Sequence, residues 1–210
     1  MNSLMRLRTR RALVALFAFC VGASCLLGTT ASRAADNPKI TMVVAKRGTL
    51  VIELYPDAAP KTVAHILNLV KKKFYDGIKI HRVVADFVVQ WGDDKTKNIT
   101  PEQFNENLVG THGSGTGYVP LEVKLPHEQY TLGMARSQQP DSGDSQMFIN
   151  LKANHQLDSG YCVFGKVIKG QELSEKLAVG DVITSIRIEG KGDGKTDGKT
   201  PPKETKKAKE

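Results

Sequence analysis

Between Ile80 and Asp93, β-rich apolar residues (Val83, Val84, Phe87, Val88, Val89, Trp91) are interrupted by His81, Arg82 and Gln90. Arginine is almost never buried without a partner, so this stretch carries polar groups that a plain strand does not need. Local propensity and polar placement disagree here, as they do at functional sites. Most reaction chemistries are excluded. No serine sits in an elbow motif, and Cys162 has no base marked out for it, so nucleophilic catalysis has no candidate. Paired carboxylates are missing, and the histidines at 65, 81, 112, 127 and 155 show no close metal-ligand spacing. What remains is one guanidinium, Arg82, among amides, aromatics and aliphatics.

The elements that must position Arg82 are mostly short strands. Ile40–Lys46 and Thr49–Tyr55, parted by Arg47-Gly48, read as a hairpin. Val63, Ile66, Leu67 and Val70 recur at helical spacing after Pro60, which predicts a helix from about Pro60 to Lys72. The Phe74–Gly77 step leads into strands Ile78–Val84 and Phe87–Trp91. A polar segment from Asp94 to Asn107 looks like an insertion, with a short helical turn at 101–104. The glycine-rich run Gly110–Gly117 lacks a following helix and a Gly-Lys-Ser signature, so it reads as close backbone packing rather than a phosphate cradle. Tyr130–Ala135, Gln146–Asn150, Tyr161–Ile168 and Val182–Ile188 complete the strands, with a helix over Gln171–Ala178. This pattern predicts a mainly β fold: a closed β-barrel capped by helices.

The ends of the 210-residue chain differ from its middle. Residues 1–34 combine an arginine-rich start, an apolar run from Ala12 to Leu27 and the small-residue exit Ser32-Arg33-Ala34, the pattern of a signal peptide cleaved after Ala34. The expected location is therefore periplasmic or extracellular. Arg10-Arg11 resembles a twin-arginine export signal and Gly22–Cys25 a lipoprotein box, both as secondary readings. The apolar run has 16 residues, short of a permanent membrane anchor. The formal charge of +8 also belongs to the ends. Five arginines in residues 1–34, and seven lysines against four acids in residues 190–210, leave residues 35–189 neutral, so no nucleic-acid partner is expected. The Lys/Gly-rich tail, residues 190–210, is expected to be disordered. Of three cysteines only Cys162 survives cleavage, and its apolar neighbours mark it as a core residue.

Three separated motifs give the middle of the chain a family likeness. They are His81-Arg82-Val83 with Phe87–Gln90 and Gly92-Asp93; Leu132–Arg136 leading to Ser145–Asn150; and Leu157-Asp158 with Tyr161–Val167. Over about residues 39 to 189 the sequence resembles the cyclophilin-type peptidyl-prolyl isomerases. The resemblance implies an eight-stranded antiparallel barrel with two capping helices, a monomer that binds proline-containing segments of unfolded or partly folded proteins and uses neither cofactor nor metal. It implies Arg82 as the catalytic residue, with substrate contacts from Phe87, Val88, Gln90, Ala135, Arg136, Gln146, Met147, Phe148, Leu157 and Tyr161. His81 is expected to orient neighbouring backbone. Departures from the family pattern are Trp91 for glycine, Met147 for an aromatic and Gln156 for tryptophan or another aromatic. Met147, Gln156 and the insertion also admit a proline-peptide-binding or chaperone module without catalysis.

Overall fold

The computed structural model describes residues 36–100, 103–105 and 109–190, all in one unit that begins at Asp36. The expected signal peptide, the helical turn's Pro101 and Glu102, and the tail beyond Gly190 lie outside the described residues.

Eight antiparallel strands form one curled sheet. They are β1 (Lys39–Val44), β2 (Gly48–Leu54), β3 (Arg82–Val84), β4 (Val88–Trp91), β5 (Thr131–Met134), β6 (Met147–Asn150), β7 (Cys162–Lys169) and β8 (Ile183–Ile188). The spatial order is β3-β4-β6-β5-β7-β2-β1-β8. In β1, Ile40, Met42 and Val44 turn inward and pair with Ile52, Leu50 and Gly48 of β2. This period of two puts one apolar face into a common interior with Val89, Trp91, Leu132, Met134, Met147, Ile149 and Phe164.

The expected closed barrel is corrected to a curled, incompletely closed one, because β3 and β8 are edge strands with no ladder between them. The edges meet through residues just before β3. Ile80 donates its N–H to Asp181 O (2.9 Å) and receives Gly180 N–H (2.9 Å), while Ile183 N–H reaches Ile78 O (2.8 Å). Residues 77–80 are thus occupied at the seam. Of the expected strand Ile78–Val84, only Arg82–Val84 join the ladder with β4, preceded by a single bond from His81 N–H to Gln90 O (3.2 Å).

Helix α1 (Pro60–Lys71) matches its expected span, and Val63, Ile66, Leu69 and Val70 pack on the interior. Proline begins it without loss, since its missing N–H would have been orphaned there. Glu122, from a distant loop, accepts the next two, Lys61 N–H at 3.1 Å and Thr62 N–H at 2.9 Å. Helix α2 (Gln171–Ser174) is shorter than expected. The carboxylate of Asp181 takes Ala178 N–H at 2.8 Å and also pairs with Arg47 at 2.9 Å, so the chain turns back before a second helical turn forms.

Candidate active site

The register places a row of side chains across the outer face of the sheet. Arg82 lies opposite Gln90, Gln90 opposite Phe148, and Phe148 opposite Gly133. Residues directly opposite in a sheet share a face, so three strands deliver an arginine, an amide and an aromatic ring in line. Gly133 completes the row by its lack of a side chain. A Cβ there would come within 2.3 Å of the Phe148 ring, so the ring lies flat on bare backbone.

Hydrogen bonds run along this face. Arg82 Nη1 donates to Gln90 Oε1 at 3.4 Å, Gln90 Nε2 to Gln146 Oε1 at 2.9 Å, and Gln146 Nε2 to His112 O at 2.8 Å. The Arg82 guanidinium stands 5.7 Å from the Phe87 ring centre and is otherwise exposed, leaving donors free for a ligand. Phe148 meets Tyr161 edge-on at 6.0 Å. Arg136 stacks over Tyr161 at 4.7 Å and donates to Gly160 O (2.7 Å) and Ser137 O (2.9 Å). Its guanidinium is a brace for the groove wall.

Beside this apolar patch opens a cleft of about 890 Å³. Gln90, Ala135, Arg136 and Gln146 form one side, and the glycine-rich loop with Tyr118 forms the other. That loop is cradled on the chain's own carboxylates. Asp93 Oδ2 accepts Gly110 N–H at 2.6 Å, and Asp144 Oδ2 accepts Ser114 N–H at 2.7 Å. Successive N–H groups curl around two anions, both side chains of this chain, and the expected close packing is found at Gly110 and Gly113 but not at Gly115 and Gly117, which face open space and instead take a positive φ. His65 on α1 ties down Asp144 at 3.1 Å, a contact no sequence pattern marked.

Two expected site residues are placed differently by the strand alternation. Met147 is fully buried on the inner face, opposite Trp91, and cannot line a groove. Its neighbours Gln146 and Phe148 face outward, and one step along a strand reverses the face. Val88 shares the outer face with Gln90 but is only 2% exposed and supports the patch from beneath; Phe148 is also nearly covered, at 4%, so only a sliver of its ring reaches the groove. Leu157 sits half-buried in a short 3₁₀ turn, His155–Leu157, whose carbonyl accepts Tyr161 N–H at 3.0 Å. The glycine-rich loop residues and Tyr118 were missed as groove lining, although the run of glycines was the available signal.

His81 does not orient backbone through its ring: neither ring nitrogen meets a partner at full hydrogen-bond geometry among the described residues, and the group near enough to pull on it is the Gln146 side chain, not a backbone atom. It packs below Gly110, and burial pushes its pKa down to about 4, against the pull of Asp93. Between pH 6.5 and 4 the unfolded chain therefore binds a proton that the folded chain refuses, so stability falls as pH falls through this window. A shift of this size corresponds to about 3 kcal/mol. Urea unfolding at pH 7 and pH 4 is expected to show that His81→Gln loses less stability on acidification than wild type. Equal losses would count against the burial of a neutral ring. Cys162, also buried, is pushed up to about 11, as befits a core thiol.

The family model for cyclophilin-type peptidyl-prolyl cis-trans isomerases matches residues 39–200. A probable peptidyl-prolyl cis-trans isomerase of Brucella suis is 39% identical over 156 residues, covering 73% of this chain and 79% of that one. Peptidyl-prolyl cis-trans isomerase B of Bacillus subtilis is 37% identical over 145 residues, 66% of this chain and 89% of its own. Among solved structures, a cyclophilin-type isomerase from Cryptosporidium parvum, crystallised in the presence of the dipeptide Ala-Pro, superposes with a TM-score of 0.61. It is 25% identical and is matched over 99% of its length and 72% of this chain. The chain belongs to the cyclophilin-type peptidyl-prolyl cis-trans isomerases. Its activity is the cis-trans isomerisation of X-Pro bonds.

Proposed function

We propose that this isomerase acts on exported proteins as they fold, in the periplasm or outside the cell, and that Arg82 supplies the catalysis. The observation that carries the catalytic part is the placement of an exposed guanidinium beside Phe87 and at the end of the Gln90–Gln146 relay. Rotation about X-Pro breaks amide resonance and costs roughly 20 kcal/mol. In the twisted state the nitrogen lone pair is localised and accepts a hydrogen bond that the planar ground state cannot. A guanidinium donor aimed at that nitrogen stabilises the transition state alone.

Phe87, Phe148 and Leu157, with Val88 beneath, hold the proline ring. Gln90, Gln146 and Ala135 meet the peptide on either side, and Arg136 with Tyr161 keeps the wall upright. No bond is made or broken, so the site works without a general base. The exported setting rests on the pattern of residues 1–34, with the twin-arginine route and a lipid anchor as lesser variants. A monomer suffices, since every proposed contact comes from one chain.

Expression of the full chain in a bacterial host is expected to yield product outside the cytoplasm, lacking residues 1–34 by mass spectrometry. That product should accelerate a proline-limited refolding phase lasting tens to hundreds of seconds. Full-length product confined to the cytoplasm would defeat the exported role, and an unaltered slow phase would defeat the folding role.

A further inference from the structure

Behind the apolar patch lies a polar cluster, buried at His127, Asn150 and Asn154 and open to solvent at Asp158, that no part of the proposed chemistry uses. Its centre is His127, on the loop before β5, whose side chain is 0% exposed. The ring stacks on Phe148 with 12° between planes and 5.8 Å between centres. His127 Nδ1 lies 3.1 Å from Asp158 Oδ1, and the same oxygen accepts His127 backbone N–H at 2.7 Å. The His127 carbonyl accepts Asn154 N–H at 2.7 Å. One residue thus grips Asn154 and Asp158, the two residues that flank the His155–Leu157 turn.

Asn154 carries the connection onward. Its Nδ2 donates to Phe87 O at 3.0 Å and to Asn150 Oδ1 at 2.8 Å. Asn150 in turn donates to Thr131 Oγ1 at 2.9 Å, which locks the cluster to β5 and β6. The three walls assigned to the proline ring stand on separate segments. Phe87 precedes β4, Phe148 is in β6, and Leu157 is in the turn. Nothing in the sheet ladder alone fixes the turn against the strands.

We infer that His127, with Asp158 and Asn154, is a positioning unit that sets Phe87, Phe148 and Leu157 at the spacing a proline ring requires. The inference rests on the reading of those three residues as the proline pocket. The choice of side chain supports it. Imidazole is the side chain that combines a flat aromatic face for Phe148 with a donor at Nδ1 for Asp158. That choice leaves His127 Nε2 buried without a partner among the described residues, a cost that an apolar core residue would not carry. The His127 backbone N–H also holds the Asp158 carboxyl below its usual range, so the acceptor stays ionised.

The test measures kcat and KM separately, with a proline tetrapeptide, on purified wild type, Asp158→Ala, Asp158→Asn and His127→Phe, well below each melting midpoint. Asp158→Ala removes the acceptor, frees the turn and is expected to lower kcat/KM about tenfold, with a raised KM. Asp158→Asn keeps an acceptor oxygen in place and is expected to restore kcat/KM to within about twofold of wild type. His127→Phe keeps the stack but not the donor, and a loss of about fivefold is expected. A lowered midpoint with unchanged kcat/KM in Asp158→Ala would make the cluster a fold support only and overturn the inference. Asp158→Asn as impaired as Asp158→Ala would overturn it too, since charge rather than hydrogen bonding would then be at work. If Asp158→Ala does not fold, His127→Phe at wild-type activity overturns the inference and a fivefold loss sustains it. An inactive wild type would instead strike at the isomerase reading itself.

Discussion

Arg82→Ala is expected to lower kcat/KM for a proline tetrapeptide by at least about a hundredfold, equivalent to about 2.7 kcal/mol of transition-state stabilisation. The thermal midpoint should hardly move. Arg82 is exposed, and its guanidinium meets Gln90 at 3.4 Å and the Phe87 ring at 5.7 Å. Substitutions at such positions stay within about 0.5 kcal/mol of wild-type stability. The loss should fall on kcat more than on KM, because the donor meets a lone pair that exists only in the twisted imide. Arg82→Lys separates charge from geometry. It keeps a cation but loses the planar fork, and an activity near that of the alanine variant is expected. A fall shared equally by activity and stability, or an alanine variant within tenfold of wild type, would remove Arg82 from the catalytic role.

Trp91→Ala should be the most destabilising single change in the strand that follows Arg82. Trp91 is 0% exposed, faces the barrel interior and lies directly opposite Met147 across β4 and β6. Truncating a buried tryptophan costs about 3 to 5 kcal/mol, part lost transfer energy and part cavity. A phenylalanine at 147 would carry three more side-chain heavy atoms than Met147, so the smaller residue yields part, and only part, of the space that the Trp91 indole fills across this cross-strand pair. Met147→Phe alone should overpack the interior and cost about 1 to 3 kcal/mol. With Trp91→Gly added, the new ring enters the space the indole leaves. Urea midpoints for the cycle are expected to show a favourable coupling above about 0.5 kcal/mol. Strict additivity would mean that the two side chains do not share their space.

The parts of this molecule legible in its sequence were those with a local physical signature. The β1–β2 hairpin announced itself by two alternating runs around Arg47-Gly48, and α1 by Pro60 with its 3.6-residue stripe. Arg82 and Gln90 stand out because polar groups interrupt an apolar strand, Phe148 enters only through the family resemblance, and the register brings the three into one row. Met147 was misplaced because motif membership says nothing of which face a residue takes, whereas the alternation with Gln146 and Phe148 does. The open seam was hidden for another reason. Ile78 and Ile80 look like strand residues, and whether they pair with β4 or with residues 180–183 depends on contacts a hundred residues away. His127 gives no signal, being a single histidine in a loop whose partners Phe148, Asp158 and Asn154 all lie far from it in sequence.

Asp93 has a consequence for how this enzyme can diversify. Its Oδ1 accepts Lys95 N–H at 3.0 Å as the chain leaves β4, and its Oδ2 accepts Gly110 N–H at 2.6 Å where the chain returns. Both ends of the excursion from 95 to 110 thus meet on one side chain, while Lys79 Nζ also holds Thr96 O (2.7 Å) and Lys97 O (2.9 Å) just after its start. Its length is uncoupled from the register of the sheet, and doubling it would add only about 0.6 kcal/mol of closure entropy. The rim of the cleft is in that sense a modular port, open to extension or grafting, while the row from Arg82 to Gly133 keeps its alignment.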